Sequence, residues 1–298
     1  MNHIISTKDF TRAFIKKLFA IADTLKENEH CLANKILASL FYEPSTRTRF
    51  SFESAMYRLG GKVIGTENAA EFSSASKGES LEDAIKIVGH YADIIILRHP
   101  QTGAAYKARG VSSVPIINAG DGSGEHPTQA LLDLYTLYKE LKTLSTLSIA
   151  FVGDLKNGRT VHSLVYLLTL FENITMYFVS PKQLPLPREI TKYIKSKGLH
   201  FTETSKLASV LPKINALYQT RVQKERFIDP LEYVQTKDAF ILTPELLSHM
   251  HADTIIMHPL PRNNEIPTSI DSDPRAAYFK QAKYGLRIRM ALLKLLLM

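Results

Sequence analysis

With 298 residues, the chain is long enough for two domains that each have a substantial core. Its composition, 45% hydrophobic and 22% charged, excludes a disordered chain, and no apolar run is long enough for a membrane-spanning helix. The net charge of +8 allows nucleic acid, anionic surfaces or small acidic molecules as partners. The basic residues are dispersed and form no basic tail, so small anionic substrates explain the excess at least as well.

Two features of the sequence predict a cytoplasmic protein. The single cysteine, Cys31, excludes an internal disulfide and fits a reducing compartment. Arg12, Lys16 and Lys17 interrupt the apolar positions near the start of the chain, which argues against a signal peptide. We therefore expect no membrane partner.

The first half of the chain alternates predicted helices with short apolar strands. Apolar residues at helical spacing predict a helix over residues 8–26. Strands are predicted at 36–41, 62–65, 93–98 and 114–118, with helices at 45–59, 81–91, 104–107 and 127–141. Residues 68–79, which include Ser73 and Lys77, are small and polar and predict an exposed loop. The alternation is typical of a parallel sheet with helices on both faces.

The turn between the first predicted strand and its helix is the strongest functional signal. Unpaired backbone N–H groups and the positive end of the helix dipole meet there. The same turn carries three hydroxyl and two guanidinium side chains, those of Ser45, Thr46, Arg47, Thr48 and Arg49. Such a set suits an oxygen-rich dianion, most simply a phosphate. The alternative is an ordinary helix N-cap, but two uncompensated cations beside a positive dipole end favour an anionic ligand.

Two other segments place polar side chains just after predicted strands. Arg98 ends one strand, and His126 precedes a helix whose first residue, Pro127, suits that position. Ligands of parallel sheets bind at the carboxyl ends of the strands, so the turn at 45–48, Arg98 and His126 are expected to meet in one crevice. We expect the His126 ring to be neutral, because the helix dipole disfavours imidazolium.

The second half of the chain repeats the alternation. Strands are predicted at 148–152, 175–179, 200–202, 216–219 and 254–257, and helices include 161–170 and 275–298. The turn at 153–159 lacks the Gly-x-Gly-x-x-Gly pattern, so dinucleotide binding is rejected. We expect no cofactor. No metal is expected either, because His249, His251 and Asp253 have no further Cys/His cluster beside them in the sequence.

Six segments that occur in order carry a resemblance to a known family. They are Phe-Tyr-Glu-Pro-Ser-Thr-Arg-Thr-Arg, Leu-Arg-His-Pro, His-Pro-Thr-Gln-Ala-Leu-Leu-Asp, Gly-Asp-Leu-Lys-Asn-Gly-Arg-Thr-Val-His-Ser, Thr-Arg-Val-Gln-Lys-Glu-Arg and His-Pro-Leu-Pro-Arg. From the first helix to the last, the chain resembles the catalytic chains of the aspartate carbamoyltransferase family. The resemblance implies transfer of the carbamoyl group of carbamoyl phosphate to the amine of L-aspartate. The products would be N-carbamoyl-L-aspartate and phosphate, in de novo pyrimidine biosynthesis.

The resemblance also implies an architecture and an assembly. It implies an α/β fold of two domains, each a parallel sheet flanked by helices. The carbamoyl-phosphate-binding domain would span residues 1–142 plus the C-terminal helix 284–298, which packs back on it, and the aspartate-binding domain 143–283. Family members form homotrimers with active sites shared between chains. No nucleic acid partner is expected, and a separate regulatory chain is left open.

Residue roles follow from the same resemblance. Carbamoyl phosphate would be bound by Ser45, Thr46, Arg47, Thr48, Arg98, His126, Gln129, Pro259 and Leu260. Thr48, Arg98 and His126 would polarise its carbonyl and stabilise the oxyanion. The NH2 group would be taken by the Gln129 side chain and by the main-chain carbonyls of Pro259 and Leu260. Aspartate would be bound by Lys77, Arg159, Arg221 and Gln223, with Ser73 and Lys77 supplied by the neighbouring chain.

Other functions are weighed against this one. Ornithine carbamoyltransferases share the Ser-Thr-Arg-Thr-Arg turn, but Arg221 and Gln223 suit an extra carboxylate better than an ammonium group. A non-catalytic phosphometabolite-binding protein would not need His126 and Gln129 opposite the anion turn. A basic nucleic-acid binder would show strongly salt-dependent affinity.

Glu43 lies beside the predicted phosphate, where a bare carboxylate would repel the ligand. We therefore expect a cation next to it. The candidate is Arg226, which would bridge to Glu43 as the domains close. The alternative is a Glu43 side chain that faces solvent.

Overall fold

The structure is a computed structural model that describes residues 2–26, 29–222, 229, 231, 233–234 and 240–298. The chain forms two compact units, residues 1–132 with 283–298 and residues 133–282. Both division points lie inside long helices, Pro127–Leu141 and Tyr278–Leu297. The domain boundaries expected at 142/143 and 283/284 therefore stay predictions.

The first unit is built on a four-stranded parallel sheet. Its strands are β1 (Ile36–Phe41), β2 (Lys62–Glu67), β3 (Ile94–His99) and β4 (Ile116–Asp121), in the order β2-β1-β3-β4. The β3 residues Ile94 to Leu97 are buried, as expected for a strand covered by helices on both faces. The register places Phe41, the last residue of β1, opposite Glu67 on one side and Arg98 on the other.

Helices cover this sheet. They are α1 (Arg12–Thr24), α2 (Thr46–Arg58), α3 (Ala69–Phe72), α4 (Leu81–Val88), α5 (Ala104–Val111) and the start of α6 (Pro127–Leu141). The predicted apolar stripe on α2 is confirmed, because Phe52, Ala55 and Met56 are fully buried. Residues 68–79 are not a simple loop, since α3 and a 3-10 turn (Ser74–Lys77) lie within them.

The second unit has a five-stranded parallel sheet. Its strands are β5 (Ser148–Val152), β6 (Thr175–Val179), β7 (His200–Thr204), β8 (Ala216–Gln219) and β9 (Ile255–Met257), in the order β7-β6-β5-β8-β9. The helices include α7 (Arg159–Leu168), α8 (Arg188–Ser196), α9 (Pro244–Ser248) and the start of α10 (Tyr278–Leu297). In the core, the centre of the Phe151 ring lies 5.6 Å from the centres of the Phe178 and Tyr218 rings.

The end of α10 packs on the first unit, as predicted. The Arg289 guanidinium lies 5.1 Å from the centre of the Phe52 ring on α2, and Arg287 donates a hydrogen bond to the Ala22 carbonyl on α1. The predicted fold class, two parallel sheets flanked by helices, is confirmed. Across the described ranges, no helix combines the length and apolarity that crossing a bilayer requires.

Candidate active site

The strand order of the first sheet reverses between β1 and β3, since β2 lies on one side and β4 on the other. A reversal of this kind opens a crevice at the carboxyl ends of the strands. The predicted phosphate turn follows β1, Arg98 lies at the end of β3, and His126 follows β4. The fold therefore brings these three segments to the same edge of one sheet.

Ser45 occupies the N-cap position of α2. Within the described part of the chain, its hydroxyl makes no capping hydrogen bond to the first turn. Thr46 and Arg47 are exposed on that turn, whereas Thr48 is buried. The first turn of α2 thus offers a hydroxyl, a positive dipole end and a nearby guanidinium to an anion.

Arg49 does not belong to this anion site, and the expectation that it is uncompensated was wrong. Its Nε lies 2.8 Å from Glu53 Oε1, one helical turn further on, and its Nη1 contacts Glu67. The hydrogen bond that Arg49 donates to Glu53 raises the pKa of Arg49. Glu67 ends β2, which pairs with the strand that leads into α2. Local spacing does not predict this contact between Arg49 on the helix and Glu67 on the strand.

Arg98 lies against Glu43, with Arg98 Nη2 2.7 Å from Glu43 Oε1. Arg98 Nη1 also donates to the Ala119 carbonyl at 3.3 Å. The solvent-facing alternative for Glu43 was therefore wrong, since a cation from the neighbouring strand holds its carboxylate. The predicted bridge to Arg226 involves a residue outside the described ranges, as does the predicted aspartate ligand Gln223.

His126 is buried just ahead of α6, where its side chain meets two hydroxyl groups. Its Nε2 lies 3.5 Å from Thr48 Oγ1 and its Nδ1 lies 3.5 Å from Thr128 Oγ1, both at the outer limit of hydrogen bonding. The backbone N–H of Gln129 donates to the His126 carbonyl at 3.0 Å, so both residues belong to the same first turn of the helix. The structure therefore brings Thr48 and His126 together, as the sequence predicted.

The loop that delivers His126 is held by two carboxylates that sequence reasoning did not single out. Asp121 accepts hydrogen bonds from the backbone N–H groups of Glu125, at 2.9 Å, and Gly103, at 2.8 Å. Glu125 in turn accepts from the Ser6 hydroxyl at 2.5 Å and from the Thr7 backbone at 2.7 Å. The signal in the sequence was weak, because only the Asp-x-x-x-Glu spacing before His126 marks these residues.

Ser73 and Lys77 lie in the turn between α3 and α4. The Ser73 hydroxyl caps the 3-10 turn by accepting from the Ala75 N–H at 3.2 Å, and it contacts the Ala69 carbonyl. Lys77 ends that turn with an exposed side chain, followed by Gly78 with φ +93°. Their assignment to a neighbouring chain's site stays a prediction.

The second sheet has its own reversal point, between β5 and β8. Arg159 begins α7 after β5, and Arg221 follows β8, so both arginines leave the sheet at adjacent strands. The backbones approach closely here, since a Cβ on Gly153 would lie 2.4 Å from the Thr220 carbonyl oxygen. Only glycine fits this position, where φ is +117°.

Pro259 and Leu260 follow β9, next to β8 in the second sheet. Both residues are partly buried, and Leu260 has a left-handed backbone with φ +55°. Among the residues that the structure describes, neither main-chain carbonyl accepts a hydrogen bond. A backbone carbonyl is the kind of acceptor that a ligand with N–H groups requires.

Two family models match consecutive parts of the chain. "Aspartate/ornithine carbamoyltransferase, carbamoyl-P binding domain" matches residues 2–139, and "Aspartate/ornithine carbamoyltransferase, Asp/Orn binding domain" matches residues 145–296. The matched ranges follow one another as the two parallel sheets do.

Similar proteins are found among characterised sequences and solved structures. The chain is 52% identical to the chloroplastic aspartate carbamoyltransferase of Arabidopsis thaliana over 304 residues, which cover 100% of this chain and 78% of that protein. The catalytic subunit of M. jannaschii aspartate transcarbamoylase superposes with a TM-score of 0.91 at 52% identity, over 99% of this chain and 98% of that one. The Trypanosoma cruzi aspartate transcarbamoylase in complex with carbamoyl phosphate and aspartate gives a TM-score of 0.91 at 41% identity, over 98% and 95% of the two chains. The chain therefore belongs to the aspartate/ornithine carbamoyltransferase family.

Proposed function

We propose that this chain is an aspartate carbamoyltransferase, which transfers the carbamoyl group of carbamoyl phosphate to L-aspartate. The observation that carries the proposal is the meeting of Thr48, Arg98 and His126 at the edge of the first sheet, beside the start of α2. A solved relative at 41% identity holds carbamoyl phosphate and aspartate, which supports the same substrates here.

In the proposed mechanism, the start of α2 binds the phosphate group of the substrate. Ser45, Thr46, Arg47 and Thr48 would contact the phosphate oxygens, because anions bind at helix N-termini. Arg98 would exchange its contact with Glu43 for one with the ligand.

The carbonyl group of the substrate is activated by three donors. The aspartate amine attacks the carbonyl carbon, and the oxygen that then gains negative charge accepts hydrogen bonds from Thr48, Arg98 and His126. Donors of this kind typically lower the barrier by about 3–4 kcal/mol each. The C–O bond to phosphate then breaks, and the leaving phosphate accepts the amine proton. The amide NH2 donates to Gln129 and to the carbonyls of Pro259 and Leu260.

Recognition of aspartate is proposed for the second sheet and the segment after it. Arg159 and Arg221 would bind the two carboxylates through their planar guanidinium groups, together with Gln223 and Lys77. An ornithine substrate brings an ammonium group, which these cations would repel. Isotope-labelled carbamoyl phosphate offered with aspartate and, in parallel, with ornithine tests this choice: labelled N-carbamoyl-aspartate supports the proposal, and labelled citrulline contradicts it.

The assembly is proposed to be a homotrimer, in which Ser73 and Lys77 complete the site of a neighbouring chain. The exposed position of Lys77 supports this role. A cytoplasmic location is proposed from the lone cysteine. Mass measurement of the purified chain tests the trimer directly.

A further inference from the structure

A buried polar network holds the segment that follows β9. At its centre is His258, whose side chain is 1% exposed. Its Nε2 lies 2.8 Å from Glu265 Oε1, and its Nδ1 accepts a hydrogen bond from the Leu260 backbone N–H at 2.8 Å. In this segment the proposed mechanism uses only the carbonyls of Pro259 and Leu260, so it leaves His258 and Glu265 without a function.

The hydrogen bonds determine the protonation state of this ring. A backbone N–H is always a donor, so Nδ1 of His258 must present its lone pair to Leu260. The proton of a neutral ring then sits on Nε2 and is donated to Glu265. Burial lowers the pKa of His258, and hydrogen bonding to His258 helps to hold the pKa of Glu265 below its usual value despite burial. The pair is therefore a neutral imidazole donating to a carboxylate.

The same network ties down the backbone of His258. Its N–H donates to Gln281 Oε1 at 2.9 Å, and Gln281 Nε2 donates to Asp133 Oδ1 at 2.6 Å. The Tyr218 hydroxyl donates to the other Asp133 oxygen at 2.7 Å. Asp133, Tyr218 and Gln281 are buried, so the network is shielded from water and rigid.

The hydrogen bond to the His258 ring fixes the backbone conformation of Leu260. A side-chain acceptor that bonds the N–H two residues further on closes a turn, as asparagine and aspartate do in Asx-turns. Here the His258 ring closes such a turn around Pro259 and holds Leu260 in a left-handed conformation with φ +55°. A leucine is rarely found there, so the hydrogen bond to Nδ1 stabilises an otherwise unfavourable backbone.

We propose that His258, held in its tautomer by Glu265, is a positioning residue that aims the carbonyls of Pro259 and Leu260 at the NH2 group of carbamoyl phosphate. This inference rests on the proposed function, since it takes these carbonyls as the acceptors of that group. The network then selects carbamoyl phosphate over acyl phosphates that lack an NH2 group. It contributes nothing to binding of the phosphate group itself.

Three ligands separate recognition of the NH2 group from binding of the phosphate group. They are carbamoyl phosphate, acetyl phosphate and inorganic phosphate. In acetyl phosphate a methyl group replaces the NH2 group. Dissociation constants are measured by titration calorimetry on the full chain. The readout is the dissociation constant of acetyl phosphate divided by that of carbamoyl phosphate. The double variant His258→Leu/Glu265→Gln removes the turn without leaving a buried charge. We expect it to bind carbamoyl phosphate about tenfold more weakly, with acetyl phosphate and phosphate changed less than twofold.

Two conservative variants are the matched controls. His258→Asn keeps an acceptor for the Leu260 N–H, and Glu265→Gln keeps an acceptor for Nε2–H, so both should retain the wild-type ratio within about twofold. The inference would be overturned if the double variant bound all three ligands more weakly by the same factor. It would also be overturned if the double variant kept the wild-type ratio of dissociation constants. A His258→Asn ratio as low as that of the double variant would also overturn it. Failure of the proposed function is seen separately, as absence of carbamoyl transfer by the wild-type chain.

Discussion

Glu43 and Arg98 form an ion pair at the carboxyl edge of the first sheet, with 2.7 Å between Arg98 Nη2 and Glu43 Oε1. Both side chains are largely buried, at 24% and 13% exposed, so the interaction is less screened than at the surface. Since Arg98 is a proposed ligand of carbamoyl phosphate, Glu43 competes with the substrate for the same guanidinium.

This competition predicts the effect of Glu43→Gln on anion binding. Loss of the carboxylate charge should make inorganic phosphate bind about three- to tenfold more tightly, because Arg98 no longer leaves an ion pair to bind the ligand. Calorimetric titration with phosphate measures the change. Glu140→Gln is the control. It removes a carboxylate that pairs with Lys280, which is not a proposed phosphate ligand, so it should have no effect on phosphate binding. Unchanged or weaker phosphate binding in Glu43→Gln would contradict the competition.

His126→Ala should reduce turnover far more than it reduces phosphate affinity. The ring is proposed to donate to the oxyanion, which exists only during the reaction, so kcat should fall by about a hundredfold or more. Phosphate binding should change less than twofold. Steady-state kinetics and phosphate titration are the two measurements, with His90→Ala at an exposed position as the control. The opposite pattern, weak phosphate binding with normal turnover, would remove His126 from the mechanism.

Arg159→Met should weaken the binding of aspartate without affecting the binding of phosphate. Loss of a guanidinium that binds a carboxylate of aspartate should raise the KM for aspartate by about a hundredfold. Arg188→Met, at the exposed start of α8, is the matched control and should leave this KM unchanged. If Arg159→Met instead acted on phosphate binding, its assignment to aspartate would be wrong.

Shared active sites predict that two inactive variants restore each other. Arg47→Ala and Lys77→Ala should each lose most activity as pure trimers. In an equal mixture that is unfolded and refolded together, about a quarter of the sites should contain both intact residues. Activity assays before and after mixing measure this recovery. No recovery would mean that Arg47 and Lys77 serve the site of the same chain.

The Asp271 carboxylate predicts a pH dependence of stability. Hydrogen bonds from Arg262 and from the Tyr278 hydroxyl lower its pKa from 3.8 to about 2. Because the folded-state pKa is lower than the unfolded one, this stabilisation is present above pH 3.8 and is lost as the pH falls towards 2. Asp271→Asn should therefore lower the free energy of unfolding at pH 6, and the difference from the wild type should shrink between pH 4 and pH 2.

Denaturant unfolding at several pH values measures this difference. Asp253→Asn, at an exposed position, is the comparison and should not give the same pH-dependent gap. A gap for Asp271→Asn that stays constant down to pH 2 would show that the ion pair is not its source.

Most strands were predictable because each is a short apolar run between turn residues. The segments 36–41 and 148–152, for example, match the observed strands. The turn at 68–79 was not predictable from composition. Its local structure depends on Asn68 in a left-handed conformation and on the Ser73 cap, and small polar residues alone do not indicate either.

The sequence by itself determined which chemical groups stand at the helix starts and strand ends, because capping residues and apolar spacing are local signals. It thereby placed Ser45, Thr48, Arg98 and His126 at the edge of a parallel sheet. Only the tertiary structure decided which charges meet. Strand pairing places Phe41 between Glu67 and Arg98. As a result, Arg49 contacts Glu67 in addition to Glu53, and Arg98 contacts Glu43. Contacts of this kind join residues far apart in the chain, and local spacing carries no information about them.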